Sequence, residues 1–459
     1  MMYPRLKLAR NLLTDDGIIC ISLDDYEQEN LKKLGNEIFG EENFIAQVIW
    51  ERAFAPKNDA KYFSNSHDYI IIYSKKISEF QIGKLPRTKE ANARYKNLDN
   101  DPRGEWTPDN LTVKTYSAAN DYSITTPSGR IVNPAHGSCW RVSKDKFLEL
   151  VADNRIYFGE EGNNVPRLKR FLSEIQSGMT PTTIWKYQDV GHNQEGRQEL
   201  KKLFDDKGFF DGPKPIRLLN RIFQISNLDT DSIILDFFSG SATTAHAVMQ
   251  LNAEDGGTRK YIMVQLPEPC DEKSEAYKAG YKNICEIGKE RIRRAGEKIK
   301  EEVERTNSQL KLGEESKKLP DIGFKVFKLD SSNIKEWDSE TEDLEQSLFN
   351  SVDNIKSDRT SLDVLYEVLL KYGLYLNVPI EEKENFYSIG GGTLLVNLDK
   401  EINMEIINLI CEEYKNLLKI DSAFKTTVVL RDSAFKNDID KTNAMKKLEQ
   451  IGIKEVRSI

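Results

Sequence analysis

The stretch that decides the fold is Ile233-Ile234-Leu235-Asp236-Phe237-Phe238-Ser239-Gly240-Ser241-Ala242-Thr243-Thr244-Ala245. Its apolar start predicts a strand over 233–238, the small residues that follow predict a tight turn, and residues 245–251 predict a helix. A glycine in such a turn lets a ligand approach the backbone closely, and the first N–H groups of the helix face the same space. The pattern is therefore typical of a nucleotide-type site at the carboxyl end of a strand.

Asp236 narrows the class of ligand that this turn is expected to bind. A carboxylate at the strand tip repels a phosphate group, whereas it attracts the cationic end of a sulfonium amino acid. The turn also lacks the pattern G-x-G-x-x-G, which disfavours a dinucleotide-dependent oxidoreductase. Taken alone, the stretch also fits a purely structural turn between a strand and a helix.

The composition is that of a globular protein with more than one core. The 459 residues are 39% hydrophobic and 31% charged, and 66 basic against 74 acidic residues give a net charge of −8. No apolar run approaches the roughly 20 residues of a membrane helix, so we expect a cytoplasmic protein that does not bind a membrane. The five cysteines and four histidines show no metal-binding spacing, and no metal is predicted.

The rest of the chain divides by pattern into four parts. Residues 1–77 and 190–305 alternate helix and strand signals, residues 78–189 are rich in turn formers, and residues 320–459 form a separate α/β unit. Basic and aromatic residues interleave in 78–189, which fits DNA contact and equally fits an irregular surface insertion. They include Lys84, Arg87, Lys89, Arg94, Tyr95, Lys96, Trp106, Tyr116, Trp140, Arg141, Arg167, Lys169 and Arg170.

Two further segments give specific expectations. The apolar run Ile18–Leu23 predicts a buried parallel strand. Residues 276–303 predict one long helix, and its mixed charges, Arg291 among them, are typical of a solvated face.

The segment Asp236–Thr244 resembles the S-adenosylmethionine-binding motif of amino-methylating DNA methyltransferases. Segments along nearly the whole chain resemble the β-class, adenine-N6-specific Mod subunits of type III restriction-modification systems. The resemblance implies an α/β fold with a Rossmann-like methyltransferase sheet. It also implies that residues 78–189 are an inserted target-recognition region and residues 320–459 a partner-binding α/β domain. The segments are 23–25, 38–40, 67–69, 73–75, 189–193, 210–215, 259–269, 428–435 and 441–444.

This resemblance also implies the cofactor, S-adenosyl-L-methionine, and the residues that bind it. Asp236 would contact the methionine end, Gln265 the ribose hydroxyls, and Lys214 the carboxylate. The full predicted set is Lys214, Asp236, Phe238, Gly240, Ser241, Thr243 and Gln265. The implied partners are double-stranded DNA, a restriction (Res) subunit and a second copy of the chain, whereas the recognised DNA sequence is not predicted.

The family's catalytic tetrapeptide, Asp-Pro-Pro-Tyr, is missing from this sequence, because none of the fifteen prolines is adjacent to another. In the β class this tetrapeptide precedes the segment that begins here with Met1, and its strand lies between the strands at 233–238 and 18–23. We therefore expect an incomplete sheet and a chain that alone is poorly stable or inactive. It is either a truncated or frame-disrupted gene product, or the second half of a split protein that needs a separate amino-terminal fragment. The alternative is a non-catalytic DNA-specificity or assembly subunit.

Overall fold

A computed structural model of the chain describes residues 1–56, 58, 60–175, 178–311, 315–335 and 355–459. These residues form two compact units, Met1–Gly323 and Phe324–Ile459. In chain order the helices are α1 (Met2–Leu12), α2 (Gln28–Phe39), α3 (Lys89–Asn92), α4 (Lys144–Ala152), α5 (Tyr187–Val190), α6 (Asn193–Leu203), α7 (Ile216–Ile225), α8 (Thr243–Asp255), α9 (Glu275–Lys278), α10 (Ile284–Ser308), α11 (Ser361–Lys371), α12 (Met404–Ile420) and α13 (Asp438–Gln450). The strands are β1 (Ile18–Leu23), β2 (Phe44–Glu51), β3 (His67–Ser74), β4 (Trp106–Asn110), β5 (Thr112–Val113), β6 (Ile124–Thr125), β7 (Ile131–Val132), β8 (Cys139–Trp140), β9 (Ile156–Tyr157), β10 (Arg167–Phe171), β11 (Ile184–Trp185), β12 (Ile233–Asp236), β13 (Lys260–Met263), β14 (Ile380–Glu382), β15 (Tyr387–Ile389), β16 (Leu394–Asn397), β17 (Thr427–Leu430) and β18 (Glu455–Ser458).

The first unit contains two separate sheets that bear on the site. One has the strand order β1-β3-β2-β11, and the other pairs β12 with β13. The prediction that β1 is a buried parallel strand is wrong, because β1 pairs antiparallel with β3 and most of its residues are only partly buried. The crossover through α2 makes β1 and β2 run in the same direction, and β3 returns between them, a placement that no pattern within β1 specifies.

The edges of these two sheets that face the expected gap are those of β1 and β12. Among the described residues, β1 pairs only with β3, and β12 pairs only with β13. The two sheets nevertheless share a covering side chain. Leu219 of α7 packs in the cluster that contains Cys20 of β1 and also in the cluster that contains Ile234 of β12. On another face, Phe237 packs against the cluster of Leu6 and Ile19. The two sheets of the first unit therefore share side chains that cover them on both faces.

The described residues between β3 and β11 form three short sheets. Their orders are β4-β10-β9, β5-β8 and β6-β7. The region has a core of its own, in which Leu111, Trp140 and Phe147 pack together.

The second unit is built on one five-stranded sheet, in the order β14-β15-β16-β17-β18. Alternate residues of β16 and β17 face two different cores. Leu395 and Val428 lie in the cluster with α12 and α13, whereas Val396 and Val429 lie in the cluster with α11. The sheet is therefore covered on both faces, as a mixed sheet with parallel central strands requires.

The predicted long helix over 276–303 is wrong in its first part. Gly280, with φ +102, follows α9 and breaks the helical path, and the side chain of Asn283 then caps α10 by accepting the N–H of Glu286. None of the helices in the described ranges is long and apolar enough to cross a membrane. The described side chains also include no group of three or more His, Cys, Asp or Glu residues that could hold a metal ion.

Candidate functional site

The predicted strand, turn and helix over 233–251 are present as β12, a turn and α8. The strand ends at Asp236, two residues earlier than predicted, and the helix begins at Thr243. The strand-to-helix turn (residues 237–242) is held by hydrogen bonds from Ser239 N to Val264 O at 3.2 Å and from Ala242 N to Ser239 O at 2.7 Å. Gly240 has φ +50 and Ala242 has φ +59, so the turn passes twice through the left-handed region.

Asp236 is oriented by two hydrogen bonds. Its carboxylate accepts the N–H of Phe238 at 3.2 Å on one oxygen and the hydroxyl of Thr244 at 2.6 Å on the other. Thr244 lies in the first turn of α8, where the backbone N–H groups carry a partial positive charge. The turn therefore places a negative carboxylate beside a positive helix terminus, which suits a ligand that carries both an ammonium and a carboxylate.

Gln265, which is partly buried, and Phe238, which is exposed, both lie beside this turn. The side-chain oxygen of Gln265 accepts the N–H of Gly240 at 2.7 Å, and its amide nitrogen donates to Leu266 O at 3.2 Å. In this structure Gln265 therefore braces the turn, while its amide keeps one N–H and one lone pair beyond these two bonds for the predicted contact with a ribose. The ring of Phe238 is 60% exposed, so its face is open to a ligand.

Ser241 and Thr243 face the protein interior. Both are buried, and their hydroxyls accept hydrogen bonds from Nη1 of Arg291, at 3.0 Å and 2.6 Å respectively. Arg291 lies on α10 and is 0% exposed, so the expectation that its charge lies on a solvated face is wrong. Sequence reasoning missed this residue because neighbouring charges on the same helix, such as Arg293, are exposed.

Lys214 lies beside the carboxyl end of β2 and the amino end of β3. Its Nζ is 3.4 Å from the carboxylate of Asp68 and 4.6 Å from the ring centroid of Trp50. Burial lowers the pKa of Lys214, and the charge of Asp68 opposes that shift. The segment that leads to Lys214 does reach the turn, because the ring of Phe210 lies 3.3 Å from where a Cβ on Gly240 would stand.

The candidate DNA-contacting residues of 78–189 divide into structural and exposed groups. Lys169 is fully buried in ion pairs with Asp99 and Asp101. Arg141 and Arg170 both bind the carboxylate of Asp109. Trp106 and Trp140 are buried. The buried Lys169, Trp106 and Trp140 therefore stabilise the region, whereas Arg141 and Arg170 are exposed. Further exposed basic residues among the candidates are Lys84, Lys89, Arg94, Lys96 and Arg167.

The family model of the DNA methylases matches residues 1–301, which include all the described sheets of the first unit and the whole strand-to-helix turn. The chain belongs to this DNA methylase family. It is 41% identical to the Mod subunit of the type III restriction-modification enzyme StyLTI of Salmonella typhimurium, over 71% of this chain and 47% of that protein.

Two further proteins are similar to this chain. The Mod subunit of the Escherichia coli enzyme EcoP15I is 30% identical over 92% of this chain and 66% of that protein. The chain thus spans less than two thirds of either Mod subunit. A Thermus thermophilus structure described as a DNA modification methylase complexed with S-adenosyl-L-methionine is 14% identical, with a TM-score of 0.28, over 64% of this chain and 76% of that chain.

Proposed function

We propose that this chain is part of an adenine-N6-specific DNA methyltransferase, the modification subunit of a type III restriction-modification system. Membership of the DNA methylase family and the identity with two Mod subunits support this proposal. The observation that carries it is the pairing of the Asp236 carboxylate with the amino-terminal end of α8 across one tight turn.

The residues of this turn fit S-adenosylmethionine. Asp236 would bind the ammonium group of the methionine end, and the N–H groups at the start of α8 would bind its carboxylate. Phe238 offers an exposed ring to the adenosine part, and Lys214 supplies a further cation from the side of Phe210. When bound, the cofactor supplies an electrophilic methyl group on a sulfonium. The amino nitrogen of adenine would form a bond to that methyl carbon and lose a proton, while the S–CH₃ electron pair returns to sulfur.

A separate amino-terminal segment would supply what this turn lacks, which is a group that holds the adenine. The tetrapeptide Asp-Pro-Pro-Tyr is missing from the sequence, and its strand would pair with the open edges of β12 and β1. Each buried backbone group left without a partner costs about 1–3 kcal/mol, so such a strand would stabilise both sheets. The missing tetrapeptide also supports the second candidate, a non-catalytic DNA-specificity or assembly subunit.

The proposed partners are double-stranded DNA, a Res subunit and a second copy of the chain. The exposed basic residues between β3 and β11 would bind DNA phosphates. The unit Phe324–Ile459 would bind the Res subunit, as the resemblance to Mod subunits implies. Sedimentation of the purified chain at increasing concentration measures whether it forms the expected homodimer.

The test of this proposal is cofactor binding followed by methyl transfer with the purified chain. Asp236→Asn keeps the shape and removes the charge, and we expect about a tenfold to hundredfold loss of affinity for S-adenosylmethionine, since a hydrogen bond to a charged group contributes about 1.5–3 kcal/mol. Asp231→Asn, at an exposed position just before β12, is the matched control and should bind like the wild type. Equal binding by the wild type and Asp236→Asn would contradict the assigned site.

Methyl transfer then separates the two candidate functions. Labelled methyl transfer from S-adenosylmethionine to unmethylated DNA is measured with the chain alone and with an added fragment that carries Asp-Pro-Pro-Tyr. Activity only with the fragment supports the methyltransferase. Activity of the chain alone would show that the tetrapeptide is dispensable. Binding of cofactor and DNA without transfer in either case would favour the specificity subunit.

A further inference from the structure

Arg291 packs directly beneath the strand-to-helix turn. One turn earlier on α10, Gly288 brings the helix so close that a Cβ there would lie 3.4 Å from Gly240 O. Nη1 of Arg291 binds the hydroxyls of Ser241 and Thr243, the two residues that flank the left-handed Ala242. The guanidinium therefore fixes the part of the turn whose backbone is most strained.

The charge of Arg291 has no close counter-ion in the described part of the chain. No described carboxylate lies within ion-pair distance of it, and no described acceptor binds its Nε or Nη2. The carboxylate that acts on it from further away is Glu199 of α6, which accepts the N–H of Ile216 at 3.0 Å. Burial lowers the pKa of Arg291 to about 10, so the side chain is still charged at neutral pH.

The charge of Arg291 acts on the pKa values of two nearby groups, His246 and Glu199. Burial lowers the pKa of His246 to about 3, and the charge of Arg291 contributes to that shift. Burial raises the pKa of Glu199, and the charge of Arg291 opposes it. A buried cation that lacks a paired carboxylate destabilises a fold, and its position beneath the proposed cofactor turn makes Arg291 a candidate for a functional role.

We propose that Arg291 is a positioning residue for the amino-acid end of the cofactor. It holds the turn through Ser241 and Thr243, and it adds a fixed positive charge to the positive end of α8, so that this end binds the carboxylate of S-adenosylmethionine. Arginine suits this role because one guanidinium nitrogen donates to both hydroxyls at once. The proposal rests on the cofactor site described under the proposed function.

The experiment compares two ligands that differ in the amino-acid end. S-adenosylhomocysteine carries the carboxylate and ammonium, whereas 5′-methylthioadenosine lacks both. Arg291→Met is expected to weaken binding of S-adenosylhomocysteine about tenfold or more while changing that of methylthioadenosine less than about threefold. The matched control is Arg294→Met on the same helix, where Arg294 binds Glu290 and Asp205 at the surface, and it should leave both affinities unchanged.

A second variant tests the proposal even if Arg291→Met does not fold. Thr243→Val keeps the charge and removes one of the two hydroxyls, and it should shift the ratio of the two affinities about threefold in the same direction, as expected for one neutral hydrogen bond.

The outcomes separate this proposal from the proposed function. An equal loss for both ligands would show that Arg291 only supports packing, and unchanged ratios in both variants would likewise overturn its positioning role. If the wild-type chain binds neither ligand, the cofactor site itself is wrong, and the role of Arg291 falls with it. Selective loss of S-adenosylhomocysteine in the variants establishes the role.

Discussion

Two four-residue strands of this chain, β12 and β16, are both apolar and both run parallel to a neighbour, but they differ in burial. Every residue of β16 is buried, between β15 on one side and β17 on the other. No residue of β12 is fully buried, and Ile233 at its start is 54% exposed. The difference lies in the neighbours, because β12 has a described partner on one side only. An apolar run therefore indicates a strand, while its burial depends on the strands beside it.

The largest expected effect compares a leucine from each strand. Leu395→Ala in β16 removes a fully buried side chain and should destabilise the second unit by about 2–5 kcal/mol. Leu235→Ala in β12 should cost the first unit less than half as much, since Leu235 is partly exposed. Amide hydrogen exchange of the full chain, read separately on peptides of each unit, measures both effects.

Equal losses in the two variants would contradict the comparison, because they would show that β12 is as fully packed as β16. If the amino-terminal fragment is added, the cost of Leu235→Ala should rise toward that of Leu395→Ala. This change would sharpen the comparison, since only the first unit gains a neighbouring strand.

The next effect concerns acid, which should destabilise the two units differently. His246 is buried in the first unit, and burial lowers its pKa to about 3, below the ordinary value of 6.5. The folded state thus favours neutral His246, so its contribution is fully present above pH 6.5 and is lost as the pH falls toward 3. All four histidines precede residue 324, so the second unit contains no histidine. It therefore has no histidine whose protonation would destabilise it between pH 7 and 5.

Hydrogen exchange at pH 7, 6 and 5 checks this expectation. Peptides of the first unit should lose up to about 1.4 kcal/mol per pH unit below 6.5, and His246→Leu should remove most of that slope. An unchanged slope in His246→Leu would assign the acid sensitivity of the first unit to another group.

The smallest effect tests the backbone of the two units at positions with a left-handed conformation. Ala242 has φ +59 and Gly391 has φ +67. Ala242→Gly should stabilise the first unit by about 0.5–1 kcal/mol, because a glycine adopts this conformation without the Cβ clash. Gly391→Ala should cost the second unit a similar amount, since a Cβ there meets nothing within 4 Å and only the backbone term remains. Thermal unfolding of the full chain measures both, and two changes of the same sign would contradict the expectation.

The sequence predicts local secondary structure in this chain better than it predicts which strands pair with each other. The strand, turn and helix around Gly240 are confirmed, since an apolar run, small residues and a helical pattern act over a few neighbouring positions. The family assignment to the DNA methylases is confirmed as well. The antiparallel pairing of β1 was not predictable from its own residues, because it depends on β3, about fifty positions away.

The surroundings of individual charged side chains were the least predictable feature of the first unit. Arg291 and Lys169 stand among exposed charges in the sequence, and only the folded chain brings one to Ser241 and the other to Asp101. Their burial depends on contacts across 50 and 68 positions, which no helical or strand periodicity encodes. The assignments of Asp236, Gln265 and the rest of the cofactor set stay predictions until binding is measured.

The open edges of β1 and β12 also bear on how the chain behaves at high concentration. An unpaired edge of an apolar strand is a template for hydrogen bonding with any other extended chain, including another copy of the same strand. The run Ile18–Leu23 has the length and composition of a segment that seeds such stacking. Aggregation through this segment should therefore compete with productive assembly, and a strand paired with this edge, as proposed for the amino-terminal fragment, would at the same time keep the protein in solution.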